Sequence, residues 1–307
     1  MLRRPVPVAP ALVFLLAALS SSPARASVVV RQSGRMVARV DDTLAYPGGL
    51  FIVDLSSRRG FAGQVVAALD GRRCPAFPSR TGLRVLVPIP STLPPGAYTL
   101  GVEVRGGRGR SRLPLPVEVV ARDYPARSVV IPELKRALLG DAQAVRDGRM
   151  VQLFLRSETP TRYWRAPFRA PVAADPVYSY GAPTQYEGHG PGPVEAVTDA
   201  VFGEVHRGMD YLVPAGTVVQ APAAGTVLMA AVLPITGQTL MIDHGQGVVS
   251  VFFHLGRIDV AAGQMIEGRA PVALSGDTGI AATPHVHWAV YVHGVAVDPR
   301  VMERLVD

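Results

Sequence analysis

Pro284-His285-Val286-His287-Trp288-Ala289-Val290-Tyr291-Val292-His293 reads as a β-strand with two unlike faces. Alternate side chains of a strand share a face. His285, His287, Ala289 and Tyr291 point one way; Val286, Trp288, Val290 and Val292 point the other, into a core. Two imidazoles two residues apart on one face reach a single site. A pair of exposed strand histidines is the plain alternative, but the apolar opposite face and the preceding Pro284 favour a built site. His293 shares the parity but lies about 26 Å from His285 along an extended chain, too far to serve the same ion. With Gly294 it reads as a turn.

The other histidines extend the pattern. The chain has seven, none before residue 189. His206 and Asp210 stand about 13 Å apart in a straight strand, so they converge only where the backbone curls, and Gly208 between them permits a curl. A neutral imidazole and a carboxylate, added to one histidine of the 285/287 pair, make three protein ligands. Three leave the fourth position open to water, as a catalytic zinc requires. Phe252-Phe253-His254-Leu255 ends another alternating strand, after a hairpin turn at Asp243-His244-Gly245-Gln246-Gly247. Alternation puts His254 on the face of Ser250 and Phe252, where it either packs in a core or moves a proton beside the metal.

Other hydrolytic designs are absent. The sequence has no Gly-x-Ser-x-Gly elbow and no His-Glu-x-x-His helix. Asp277-Thr278-Gly279 resembles an aspartic-protease tripeptide but occurs once and reads as a glycine-rich turn.

Composition fits a globular protein: 48% of residues are hydrophobic and 18% charged. Arg3 and Arg4, the apolar run Ala9–Leu19 and the closing Ala24-Arg25-Ala26 have the layout of a secretory signal peptide, so residues 1–26 are expected to be cleaved. No integral membrane segment is then expected, and the mature protein is expected to act in the periplasm, the cell envelope or outside the cell. The formal charge is +7; three of those charges are leader arginines, leaving +4. No basic block with interleaved aromatics points to nucleic acid. The single cysteine, Cys74, has no partner for a disulfide and is expected to be a packed or partly exposed thiol rather than a reactive one.

Residues 27–122 show seven short apolar or alternating runs, at 28–31, 36–40, 50–55, 64–69, 84–89, 98–104 and 113–120, separated by turn signals. That pattern predicts an immunoglobulin-like β-sandwich, a spacer or binding module. Residues 123–175 form a connector with short helices over 133–139 and 141–147. In the connector, Tyr163-Trp164-Arg165-Ala166-Pro167-Phe168 is a strap expected to pack against a neighbouring domain rather than to line a groove. Residues 176–307 return to β character, with an exposed loop expected over Gly181–Thr198.

These residues together resemble peptidase family M23, the lysostaphin-type zinc endopeptidases. The resemblance runs from about Tyr163 to Pro299. It is carried by His206-x-Gly208-x-Asp210, Val213-Pro214-Ala215-Gly216-Thr217, Ala223-Ala224-Gly225-Thr226-Val227, Ile242-Asp243-His244-Gly245, Phe253-His254-Leu255, Gly276-Asp277-Thr278-Gly279, Pro284-His285-Val286-His287-Trp288 and Val297-Asp298-Pro299. It implies a mainly β chain whose C-terminal part is an antiparallel peptidase domain. It further implies one zinc ion held by His206, Asp210 and His287, with His254 and His285 as catalytic histidines that do not bind it. The implied substrate is a peptidoglycan peptide, at a D-alanyl to diaminopimelate cross-link or a glycine bridge. Two departures stand out. Thr283 replaces a glycine common before Pro-His-x-His, and Tyr180-Gly181-Ala182-Pro183 lacks the arginine of a Phe-Gly-x-Arg stretch. His244 is expected to serve hairpin hydrogen bonding, and His189 to be a solvated loop residue. The competing reading is a non-enzymatic wall-binding regulator of another hydrolase; the presence of all five site residues weighs against it.

Overall fold

The computed structural model describes residues 28–33, 36–41, 46–61, 63–106, 109–140, 142–178, 180–187 and 205–305. The expected leader, His189 and the centre of the expected loop lie outside them.

The N-terminal part is built from nine antiparallel strands: β1 Val28–Ser33, β2 Met36–Asp41, β3 Leu50–Ser57, β4 Gln64–Leu69, β5 Arg72–Pro75, β6 Phe77–Ser79, β7 Gly82–Pro88, β8 Gly96–Gly106 and β9 Gly109–Val119. All seven expected runs form strands. β5 and β6 are additional: each is too short and too interrupted by arginine or proline to show alternation. The strands form two sheets, ordered β1-β2-β3-β7-β6 and β5-β4-β8-β9. One core lies between them, with Phe51, Val53 and Leu55 from the first sheet and Val65, Ala67, Leu100, Val102 and Leu115 from the second. Cys74 is buried in that core, and desolvation pushes its thiol up to about 12. A thiol so held is a small hydrophobe, not a nucleophile.

One end of the outer face of the first sheet is also apolar, for a different reason. Leu50 and Leu86 alternate with the inward residues and join the C-terminal core. Strands β3 and β7 therefore serve two cores at once.

The connector opens with strand β10 (Arg127–Val130), continues through a 3₁₀ segment at Glu133–Gly140 and enters helix α1, Ala142–Phe154. Helix α1 outruns the expected 141–147. Ala144 and Val151 recur seven residues apart and are buried with Leu155 just past its end, so packing extends the helix beyond its polar start. The Trp164 strap buries Trp164 and Phe168 in the C-terminal core, as expected, but it also lines an open groove, which the expectation sets aside. The expected loop at 181–198 needs correction at its start. Thr184–Glu187 is a strand, β11, that pairs in parallel with β10.

The C-terminal part holds strands β12 Met209–Tyr211, β13 Val218–Gln220, β14 Gly225–Leu233, β15 Gly237–Gly245, β16 Val248–Leu255, β17 Arg257–Ile258, β18 Met265–Ile266, β19 Pro271–Leu274, β20 Val286–Val292 and β21 Val295–Val297. Seven make one sheet, ordered β12-β20-β16-β15-β14-β18 with β21 beside β20; β13-β19-β17 make a second. Val286, Trp288, Val290 and Val292 of β20 enter the core shared with the strap. Ala289 and Tyr291 enter another, with Val151 and Leu155. Both faces of the central strands are thus covered, which explains why β16 reads as a nearly continuous apolar run. Among the described residues, no helix is long and apolar enough to cross a membrane.

Asp298 ties the parts together. Its backbone N–H donates to Gly48 O at 2.8 Å. Its carboxylate, 0% exposed, accepts from the Arg300 guanidinium at 2.7 and 2.9 Å and from the Tyr46 hydroxyl at 3.3 Å, and pairs with Arg122 at 3.3 Å. Removing one member of a buried charge cluster strands the others and costs about 3–5 kcal/mol. Asp298→Ala is therefore expected to lower unfolding free energy by that amount in urea titration, with Asp298→Asn less damaging; a loss below about 1 kcal/mol would show that Asp298 does not join the domains.

Candidate metal centre

Strand β12 lies antiparallel to β20 with Asp210 directly across from His287. That register brings two residues 77 apart in sequence to a 2.8 Å contact between Asp210 Oδ1 and His287 Nδ1. His206, four residues before Asp210, turns back so that its Nε2 lies 3.1 Å from both atoms. Gly208 makes this possible through close approach rather than through a left-handed backbone. A Cβ there would lie 2.6 Å from Trp288 O and 2.7 Å from His287 Nε2.

Among the described residues, His206, Asp210 and His287 form the group able to hold a metal ion, with ligand atoms all within 4.8 Å of one another. Two imidazole nitrogens and one carboxylate oxygen are a zinc donor set. Donors about 2.0–2.1 Å from a tetrahedral ion lie about 3.3 Å from each other, close to the spacings seen here. All three side chains are buried. Burial pushes the Asp210 carboxyl up, but the His206 and His287 contacts outweigh it and hold the group well below its ordinary value. Burial, opposed by Asp210, lowers His287 to about 4. The cluster therefore offers an ionised carboxylate beside a neutral imidazole, the states a metal binds. Phe253 stacks on the His287 ring, 5.1 Å between centroids and 9° from parallel, and fixes its plane.

His285 and His254 stand beside the cluster. His285 precedes β20 on the parity of His287, as expected, and its Nε2 lies 3.9 Å from Asp210 Oδ1. His254 departs from expectation. It does not share a face with Ser250 and Phe252; its φ of 62° reverses the alternation and carries the ring to the His285 side, 4.9 Å between centroids. A non-glycine residue in this region is strained, at about 1–3 kcal/mol, and such strain collects at functional sites.

Both rings are oriented by carbonyls. His254 Nδ1 lies 2.8 Å from Thr278 O, and His285 Nδ1 lies 2.8 Å from Thr283 O. A carbonyl only accepts, so each Nδ1 carries a proton and each Nε2 is left away from the carbonyl. Burial, with His285 nearby, lowers His254 to about 3 and keeps it neutral. Thr278 is itself fixed, its hydroxyl donating to Leu255 O at 2.6 Å. The glycine-rich turn at 276–279 thus braces a histidine, a role that its short motif does not reveal. Thr283 likewise acts through its carbonyl, which a glycine would also supply.

The two histidines and two of the three metal-capable residues, Asp210 and His287, reach a cleft. His254, His285, His287 and Asp210 line a space of about 370 Å³ with Tyr178 and Leu212. A larger open groove, about 1300 Å³, runs along the Trp164 strap and contains none of the five. Sequence reasoning missed Arg127 of β10, whose guanidinium contacts Asp210, as well as the cleft residues Tyr178 and Leu212.

His244 has a structural role. Its Nδ1 donates to Ala224 O at 2.8 Å, and its Nε2 meets Ser250 Oγ at 2.9 Å, which in turn accepts from the Trp288 indole at 3.2 Å. Burial lowers it from its ordinary 6.5 to about 4.

The sequence profile of peptidase family M23 matches residues 204–299, a stretch that holds all five site residues. An uncharacterized metalloprotease of Haemophilus influenzae is 41% identical over 95 residues, 31% of this chain and 20% of that protein. The peptidoglycan DD-endopeptidase ShyA of Vibrio cholerae is 34% identical over 93 residues, 30% of this chain and 22% of that protein. The chain thus matches about a fifth of the length of these relatives. A crystal structure of a putative peptidase M23 from Pseudomonas aeruginosa aligns over 84% of this chain and 94% of its own, with 26% identity and a TM-score of 0.58.

Two outcomes are expected. Gly208→Ala forces β12 away from β20, so the folded protein should bind zinc at least tenfold more weakly, read by chelator competition; unchanged affinity would mean that the close approach is dispensable. His244 binds a proton more readily unfolded than folded. Its contribution is full above about pH 6.5 and is lost as pH falls toward about 4. Stability of the chelator-treated protein should therefore fall across that window, by as much as about 1.4 kcal/mol per pH unit for one such group. His244→Asn should flatten the dependence; an equally steep profile would exclude His244 as a source.

Proposed function

We propose that the protein is an exported zinc metalloendopeptidase that hydrolyses peptide bonds in peptidoglycan, a reading that starts from the match of residues 204–299 to peptidase family M23. The observation that carries the reading is the convergence of three ligand atoms within 4.8 Å beside two imidazoles whose Nδ1 atoms are held by carbonyls.

His206 Nε2, Asp210 Oδ1 and His287 Nδ1 are the atoms assigned to the ion. Zinc there supplies a Lewis acid for the scissile carbonyl and lowers the pKa of water to near neutrality. The chain's own groups do the rest. His254 and His285 line the cleft with each Nδ1 turned to a carbonyl, so the Nε2 of either is the atom placed to take a proton from the attacking water as its oxygen bonds to the carbonyl carbon. The imidazolium so formed stabilises the developing oxyanion and then returns the proton to the leaving amine as the C–N bond breaks. The Thr278 and Thr283 carbonyls keep both rings in the required tautomer throughout. Tyr178 and Leu212 give the cleft apolar walls for a peptide backbone.

A peptidoglycan substrate draws support from ShyA, a peptidoglycan DD-endopeptidase, which favours a D,D cross-link over a glycine bridge. Export to the periplasm or envelope follows from the leader reading of residues 1–26. The two-sheet N-terminal part is assigned as an immunoglobulin-like module that packs against the catalytic part through Leu50 and Leu86.

The test is muropeptide release from purified sacculi by the zinc-loaded protein. Wild type should convert cross-linked dimers to monomers. His285→Ala and His254→Ala should bind zinc yet lose about 10²–10⁴-fold in rate, and Asp210→Ala and His287→Ala should lose zinc as well. Zinc-loaded wild type that leaves the dimers intact would overturn the substrate assignment.

A further inference from the structure

Strand β10 lies outside the family match, yet it puts a charge on the metal cluster. The Arg127 guanidinium donates to Asp210 Oδ2 at 2.6 Å. His206 and His287 meet the other oxygen, Oδ1, at 3.1 and 2.8 Å. Arg127 is itself held from several sides. Its Nε donates to Thr184 Oγ1 at 2.9 Å and its backbone N–H to Pro183 O at 2.8 Å. The Tyr178 ring centre lies 5.5 Å from its guanidinium carbon. The Arg127 side chain is 9% exposed, and that of Asp210 is 7% exposed.

Residues 127 and 184 are register partners across β10 and β11. Arg127 therefore sits beside Tyr180-Gly181-Ala182-Pro183, the stretch that lacks the arginine expected there.

Resting on the zinc reading above, we propose that Arg127 is a positioning residue for Asp210: it caps Oδ2 so that only Oδ1 is offered to the ion. A ligating carboxylate binds through one oxygen or both, and two-oxygen binding would fill the position that a catalytic centre keeps open. The guanidinium suits this task. Its fork holds Thr184 and Asp210 at once, and it stays charged at all working pH values. Two effects oppose each other when it is removed. A nearby cation repels a metal ion, so its loss favours binding; an unfixed ligand disfavours it. Losing the partner that orients a ligand costs about 10–100-fold in metal affinity, and the burial of both side chains makes the orienting effect the larger one here.

The experiment compares the full chain as wild type, Arg127→Ala, Arg127→Lys and Thr184→Val. Zinc affinity is measured by chelator competition, and the visible spectrum of the cobalt(II)-substituted protein reports coordination number. Arg127→Ala should bind zinc at least about tenfold more weakly, with weaker cobalt(II) bands as a second Asp210 oxygen coordinates. Arg127→Lys keeps the charge and carries the test if Arg127→Ala does not fold; a lysine cannot span both partners, so it should restore little. Thr184→Val, which loosens the side chain but leaves the ion pair, should fall between. Arg127→Ala or Arg127→Lys protein with zinc affinity within about twofold of wild type and an unchanged cobalt(II) spectrum would overturn the proposal. Wild type that takes up neither metal would instead overturn the reading of the centre itself.

Discussion

The antiparallel pairing of Met209–Tyr211 with Val286–Trp288 is the constraint on which the site depends. It is a short contact, three residues on each strand, yet it sets the Asp210–His287 distance and leaves His206 only one direction in which to return. Trp288 stands next to His287 and is fully buried. Burying a side chain of that size stabilises by at least about 2 kcal/mol, so the core holds the strand that presents the ligand. Gly208 then lets the two backbones close.

The rest of the molecule stiffens this pairing. β16 lies on the other side of β20, with Phe253 across from His287, and its ring stacks on the imidazole. The strap carries Trp164 and Phe168 under one face of the sheet, while Val151 and Leu155 cover the other. The N-terminal sheet lends Leu50 and Leu86 to the same core. A site assembled from four separate stretches of chain needs such support, because an error of about 1 Å in a ligand or a base is expensive in rate.

Much of this was legible in the sequence where the signal is local. The alternation of 285–292 places His285 and His287 on one face, and the seven N-terminal runs all form strands. What escaped depends on contacts that local pattern does not carry. His254 was placed on the face of Phe252, but its positive φ breaks the period at that residue. Gly208 in the sequence suggests a curl, whereas the fold needs it for the approach of Trp288 O and the His287 ring. Arg127 meets Asp210 across 83 residues, one arginine among many, and nothing in its neighbours marks it. Strand β11 escaped for the same reason, since its partner β10 lies far back in the chain and the pairing is parallel.

The most direct test of the account is the position and ligand set of zinc, read by anomalous diffraction at the zinc edge from crystals of the metal-loaded protein. The account predicts one ion, bonded to His206 Nε2, His287 Nδ1 and a single oxygen of Asp210, with His254 and His285 near it but not bonded. An ion bonded to His254 or His285 in place of one of these three, or an ion held elsewhere in the chain, would contradict it.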